Sequence, residues 1–213
     1  MKHFFLRSAA VLACALGLAA CGGGDSGQLQ ISVTLVNVTK TGLKLQNNGG
    51  TFYDVPAGSI YSFPDLIPLD GSFDVVAQGK PANTTQCVVE NGKSKATNIS
   101  LQKIRVVCTL ITYNLGGSIT GLTGPAAGEA ADTGTGLILA NGTAQQAIGV
   151  GATSFTMTQN AGTATESGKV PEGLPYGLVI FQQPKGRTCS VTNNSGVGTM
   201  PAADVNSITI SCS

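Results

Sequence analysis

Three stretches of this 213-residue sequence hold residue types that could do chemistry: Lys93-Ser94-Lys95, the acidic group Asp65, Asp70 and Asp74, and the glycine-rich run GPAAGEAADTGTG at 124–136. A serine beside a deprotonated lysine could act as a nucleophile. Gly and Asn flank Lys93–Lys95, however, which predicts a surface turn with solvated, protonated lysines. Paired carboxylates serve glycoside hydrolysis, and clustered ones hold calcium. The three aspartates lack the spacing of an EF-hand loop, and Asp74 alternates with the inward-facing Phe73 and Val75, so they read as solvated charges. A phosphate loop ends in Lys-Ser/Thr or opens a helix, and 124–136 does neither. A Ser-His-Asp or Cys-His arrangement needs an imidazole, and His3 is the one histidine in the chain. The expectation is a protein without catalytic residues, metal or cofactor.

Cysteine carries a different chemistry. Six are present, at positions 14, 21, 87, 108, 189 and 212. The last four lack the close-spaced pairs usual in structural zinc sites, so they read as disulfide half-cystines. Four cysteines allow three pairings. An internal repeat favours one of them. GLKLQNN at 42–48 recurs as GLILANG at 136–142, and VVAQGKPANTTQCVV at 75–89 resembles VIFQQPKGRTCSV at 179–191. IRVVCT at 104–109 returns as ITISCS at 208–213. The order is kept, Cys87 matches Cys189 and Cys108 matches Cys212. Cys87–Cys108 and Cys189–Cys212 give each copy its own bridge.

The elements that must position these cysteines are short strands. In the first copy they are expected near 31–38, 42–47, 51–55, 59–63, 72–78, 86–90 and 103–109. In the second they are expected near 115–121, 136–141, 145–150, 154–159, 175–182, 187–192 and 206–212. Ile104, Val106 and Cys108 share one strand face, as do Ile208, Ile210 and Cys212, so these half-cystines point toward the core. Asn-Gly in GLKLQNNGG and GLILANG supplies the positive φ angles of a tight hairpin. Seven short strands per copy, without amphipathic helices, predict an all-β protein of two tandem Ig-like antiparallel β-sandwich modules at 31–112 and 113–213. No tryptophan is present, so the architecture alone is implied and not the antibody-type core.

The N-terminus says where such a protein lives. Lys2 and Arg7 precede an apolar run from Ala9 to Ala20 that is short for a membrane span and reads as a signal peptide. Leu18-Ala19-Ala20-Cys21-Gly22 resembles the lipobox of bacterial lipoproteins. The resemblance implies cleavage after residue 20, two or three acyl chains on Cys21, and outer-membrane sorting, since Gly22 stands where an aspartate would favour retention. Residues 21–30 then form a lipidated, flexible tether. Loss of 1–20 removes His3, Lys2 and Arg7 and leaves ten basic against eleven acidic side chains. That near-neutral balance gives no footprint for nucleic acid.

Taken over residues 31–213, the pattern GLxLQNNGG, then Pro, then Cys, then a terminal VxC strand resembles the tandem Ig-like repeats of uncharacterised proteobacterial lipoproteins. The second copy is the closer match, opening with GGSITGLTG at 116–124. The first lacks that Gly-Gly opening and has a longer stretch between Pro81 and Cys87. The resemblance implies a fold and no activity. The functional expectation is a non-enzymatic binding or structural lipoprotein, anchored through Cys21 and meeting an envelope or extracellular partner, periplasmic or surface-exposed. The long loops 122–135 and 160–174 of the second copy are its candidate binding segments. The alternatives are an envelope assembly or secretion accessory that accepts a partner strand at a sheet edge, and an enzyme of unknown type.

Overall fold

Residues 31–35 show how these strands form. Ile31, Val33 and Leu35 are buried while Ser32 and Thr34 face solvent, the period-two pattern of a strand with one face on a core. The computed structural model describes residues 27–123, 136–158, 168–193 and 195–213. The signal peptide, Cys21 and most of the expected tether lie outside them.

The first module runs through β1 (Gln28–Val36), β2 (Leu43–Asn47), β3 (Tyr53–Val55), β4 (Ile60–Pro68), β5 (Ser72–Gly79), β6 (Thr84–Glu90), β7 (Lys93–Lys95), a single-turn helix α1 (Asn98–Leu101) and β8 (Arg105–Leu110). These make two four-stranded sheets in the orders β4-β1-β8-β6 and β3-β2-β5-β7. Between them lies one buried cluster that includes Ile31, Val33, Leu43, Leu45, Phe63, Phe73, Ile104 and Val106. After β9 (Thr112–Tyr113), the second module comprises β10 (Leu115–Thr120), β11 (Leu137–Asn141), β12 (Ala144–Ile148), β13 (Ser154–Thr156), β14 (Val170–Pro171), β15 (Pro175–Gln182), β16 (Cys189–Val191), β17 (Val197–Thr199) and β18 (Val205–Cys212). Its sheets are β13-β10-β18-β16 and β12-β11-β15-β17, the same orders as in the first module, and β9 pairs with β14. Leu115, Leu137, Leu139, Met157, Met200 and Ile208 are at the centre of a second, separate core. Among the described residues no helix is long and apolar enough to cross a membrane.

The protein is thus all-β and built of sandwiches, but the sheets are not purely antiparallel. β1 pairs with β8 in parallel, Thr34 opposite Arg105, and β10 pairs with β18 in parallel, Ile119 opposite Ile210. Each final strand arrives from the opposite sheet across the end of the sandwich and so lies beside the first strand in the same direction. Side-chain alternation has the same period in both senses, so pattern alone does not distinguish parallel from antiparallel pairing. Each module also has an eighth strand in its sandwich, β7 and β17. Both are three-residue edges rich in Lys, Ser, Gly or Thr, with no apolar alternation to reveal them. Lys93–Lys95 is therefore a strand rather than the expected turn, and it pairs with β5. β1 begins at Gln28, inside the expected tether. The short α1 is held by a capping box in which Thr97 and Ser100 exchange hydrogen bonds, and it buries Leu101.

The two hairpins use the asparagine differently. Asn48 (φ 51°) and Gly49 (φ 71°) form a type I′ turn closed by Gly50 N–H donating to Asn47 O at 2.9 Å. In the second copy only Gly142 (φ 60°) takes positive φ, at the first central position between the paired Asn141 and Ala144. The preceding asparagine does the same work in both. Asn47 Oδ1 accepts the Asp74 N–H at 3.0 Å, and Asn141 Oδ1 accepts the Gly177 N–H at 2.8 Å. Each side chain ties its hairpin to the next strand of the sheet.

The Gly-Gly opening of the second module has a steric cause. A Cβ on Gly117 would stand 1.8 Å from Ile208 O, and one on Gly116 would stand 2.5 Å from Phe155 O. The two glycines let β10 approach a neighbour on either side at the point where its register with β18 shifts. The first module has Val33 at the corresponding place, fully buried, with no such shift against β8. Gly117→Ala is expected to destabilise the second module by about 1–3 kcal/mol through overpacking against backbone. Urea unfolding monitored by tyrosine fluorescence and amide exchange measures it, and an unchanged midpoint would contradict the close approach.

Candidate functional site

The type I′ hairpin lies between two shallow clefts at one end of the first module. One, of about 160 Å³, is lined by Asn47, Gly50, Thr51, Tyr53, Phe63 and Asp65. The other, of about 440 Å³, is lined by Asn48, Ser72, Asp74, Lys93 and Lys95 among others. β3 brings Tyr53 to Asp65 on β4, and the phenol donates to Oδ2 at 2.7 Å. That hydrogen bond, followed by desolvation and the nearby charge, holds the Tyr53 pKa above its ordinary value. Tyr61 is raised too, by burial first and by Asp65 second. β7 brings Lys93 to Asp74 on β5 at 2.6 Å, and the hydrogen bond and charge of Asp74 raise the lysine. Every shift here keeps a proton in place, the opposite of what a nucleophile or base requires. Lys93 in particular is not prepared to deprotonate Ser94.

The three aspartates do not converge. Asp65 serves Tyr53, Asp74 serves Lys93, and Asp70 occupies a separate turn with φ 61°, its N–H bonded to Ala96 O at 2.9 Å. Among the described residues no group of three or more His, Cys, Asp or Glu side chains comes together. A third cleft of about 400 Å³ lies where β1 and β4 meet α1. Leu29, Val33, Ile60 and Leu101 give it apolar walls, and nothing ionisable lines it.

All four sequence-predicted half-cystines are bonded. Cys87 is joined to Cys108 and Cys189 to Cys212, with Cα atoms 4.0 and 3.9 Å apart. In antibody domains the bridge joins the two sheets. Here each bridge joins directly opposed residues of neighbouring strands in one sheet, β6 to β8 and β16 to β18. It secures an edge strand to a central one. Closing loops of 21 and 23 residues in the unfolded chain contributes roughly 3 kcal/mol each on the chain-entropy account.

The loop candidates divide. Residues 124–135 and 160–167 lie outside the described residues. In the remainder of 160–174, Gly168, Val170 and Glu172 turn inward while Lys169, Gly173 and Leu174 are exposed. Val170–Pro171 pairs with Thr112–Tyr113 of the connecting segment, and Glu172 is buried at 7 % exposure. Its carboxylate meets Lys40 Nζ of the first module at 2.5 Å. Around this ion pair, Glu172 N–H donates to Ile111 O and Ile111 N–H donates to Asn83 O, both at 2.9 Å. Asn83, 1 % exposed, donates its Nδ2 to Thr39 Oγ1 at 2.8 Å. The junction between modules is thus a hydrogen-bonded joint. Lys40, Asn83 and Glu172 have no sequence signature, since each is a lone polar residue whose partner is far along the chain.

No family model matches this chain, and no curated protein matches it either. Among solved structures it is similar to the major pilin protein (T-13) from Streptococcus pyogenes serotype GAS131465, at 13 % identity, over 87 % of this chain and 96 % of that one, with a TM-score of 0.24. A likeness so distant carries no functional argument.

Two outcomes are expected at these sites. Lys40→Met leaves the Glu172 carboxylate buried without its cation, at a cost of about 1–3 kcal/mol in chemical unfolding. Adding Glu172→Gln should recover part of that loss, and strict additivity of the two changes would show that the pair is not coupled. At the start of the parallel pair β10–β18, Asp204 Oδ1 accepts the Asn114 N–H at 2.7 Å and Oδ2 accepts its Nδ2 at 2.9 Å. The backbone bond first, then the side-chain bond, holds the Asp204 pKa below the ordinary carboxylate value. A carboxylate lowered by folding stabilises above its unfolded pKa and loses that contribution as pH falls through the folded value. The Asn114 amide resonance should therefore titrate at a pH below about 3.9, the unperturbed Asp value, and Asp204→Asn should abolish that titration.

Proposed function

We propose that this chain is a lipid-anchored lipoprotein of the bacterial outer membrane whose two sandwich modules serve a non-enzymatic binding or structural role in the cell envelope. The observation that carries the reading is Leu18-Ala19-Ala20-Cys21-Gly22, placed directly after a short apolar run with a basic start. Two acyl chains or more give stable anchoring where one is marginal, each buried methylene contributing about 0.8 kcal/mol. Both disulfides accord with an oxidising compartment. The non-enzymatic part draws support from the clefts around the hairpin, where ion pairing and hydrogen bonding hold protons on Tyr53 and Lys93.

Strand addition at a sheet edge is the second reading. Most edges of these sheets discourage it, since β3, β7, β13, β16 and β17 are three residues long and β4 carries Pro64 and Pro68. The seven-residue β6 is the edge that such a partner would use.

Cys21→Ala is expected to release the protein from the membrane fraction of expressing cells into the soluble one. Equal retention of variant and wild type would overturn the anchor. Protease treatment of intact cells then distinguishes the surface, where both modules are degraded, from the periplasm, where they are protected.

A further inference from the structure

The duplicated sheets allow a position-by-position comparison of their solvent-facing sides. In the β3-β2-β5-β7 sheet of the first module that side is charged. Lys44 stands opposite Asp54 and the two ion-pair at 3.2 Å, while Asp74 stands opposite Lys93 and pairs at 2.6 Å. In β12-β11-β15-β17 the same lattice positions hold Ile138 opposite Ala147 and Gly177 opposite Val197. Val179 is the counterpart of Val76, and Gln182 stands opposite Ile138 as Gln78 stands opposite Lys44, with Phe181 the extra residue of β15 at the register shift between them. Val179, Phe181 and Val197 are 54, 60 and 62 % exposed. Lys44, Asp54, Asp74 and Lys93 on one copy of this face have become apolar residues or glycine on the other, and Lys95 has become Thr199.

We propose that the outer face of the β12-β11-β15-β17 sheet is a self-association surface on which two copies of the chain pack face to face about a two-fold axis. A covering surface must itself lack charge, because burying unpaired ions costs more than the apolar contact returns. The equivalent face of the first module would bury Lys44, Asp54, Asp74 and Lys93. The outer side of the β13-β10-β18-β16 sheet is lined by Ser118, Thr120, Ser154, Thr156, Ser190, Thr209 and Ser211, hydroxyls that gain nothing against valine and phenylalanine. The outer side of the β4-β1-β8-β6 sheet carries the charged pair Arg105 and Glu90. The matching surface is therefore the same face on a second copy, and sheets pack this way at about 10 Å with their strands roughly aligned.

The area sets the strength. The exposed side chains offer roughly 400–500 Å² per copy, scaled from the 150–250 Å² that one aromatic can bury. Two such faces bury under about 1,200 Å² in total, the range of weak, reversible complexes. The dimer is therefore concentration-dependent. It goes beyond the anchor and does not rest on it, although anchoring would raise the local concentration.

The test transplants the polar face of one module onto the other. The variant I138K/A147D/G177D/F181Q/V197K carries at four positions the residue that the first module holds there and at Phe181 a glutamine that removes the exposed aromatic, and a Cβ on Gly177 meets nothing within 4 Å. Full-length chains labelled at the C-terminus with donor or acceptor are mixed on phosphatidylcholine vesicles and in vesicle-free buffer up to several hundred micromolar. Energy transfer is read as a function of density, and vesicle flotation separately reports anchoring. Wild type is expected to show transfer above the random-proximity level, the transplant variant to show none, and Phe181→Gln alone to weaken association at least about tenfold. The reciprocal variant K44I/D54A/D74G/K93V/K95T, with a second face free of charge, is expected to form species larger than dimers. Wild-type transfer at the random level in both settings overturns the proposal. So does association by the transplant variant or by Phe181→Gln equal to wild type, which would assign contact to another surface. Failure to float with transfer intact in buffer overturns the anchor alone.

Discussion

β8 and β18 each lie parallel to the first strand of their module on one side and carry a half-cystine bonded to the edge strand on the other. Much of each sandwich depends on that placement. Ile104, Val106 and Cys108 bring their side chains into the first core, and Ile208, Ile210 and Cys212 bring theirs into the second. The parallel neighbour is what joins the beginning of each module to its end. In the second module the pairing is close enough to need glycine at 117, and Asp204 fastens its open end to Asn114. The disulfide ties the same central strand outward to an edge, seven residues long in β6 and three in β16.

This frame leaves the chemistry of the surface free to vary, and the two copies have used that freedom in opposite ways. Both keep the strand order, the asparagine that ties the hairpin to the next strand, and the bridge. The first covers one outer face with two ion pairs, each worth little in stability at such exposure but effective in keeping the face solvated. The second presents the same lattice without charge. Duplication followed by divergence on one face is how a repeated scaffold can acquire a contact surface without altering its core.

The joint between modules follows a different logic. Lys40 and Glu172 are 132 residues apart and meet beside a connecting strand that belongs by pairing to the second module. A buried carboxylate is costly unless it is paired, so this contact favours one arrangement of the joint over others.

What could be read from the residues alone was whatever depends on local period and on recurrence. The alternation of Ile31, Val33 and Leu35 marks a strand with one buried face. Asn-Gly marks the hairpins, and the recurrence of Cys87 and Cys108 as Cys189 and Cys212 favours one bridge per module. Each of these signals lies within a few residues or repeats in register. Strand direction, the edge strands β7 and β17, the inward turn of Glu172 and the contrast between equivalent faces were decided only by the tertiary structure. Parallel and antiparallel strands share one side-chain period, and a three-residue edge with few apolar residues has no period at all. Lys40 finds Glu172 only when the modules are joined. Ile138 and Ala147 could be read as members of alternating strands, but only the pairing of strands shows that they stand where Lys44 and Asp54 do. Local sequence determines which residues turn inward, and the packing of distant strands determines what the outward ones meet.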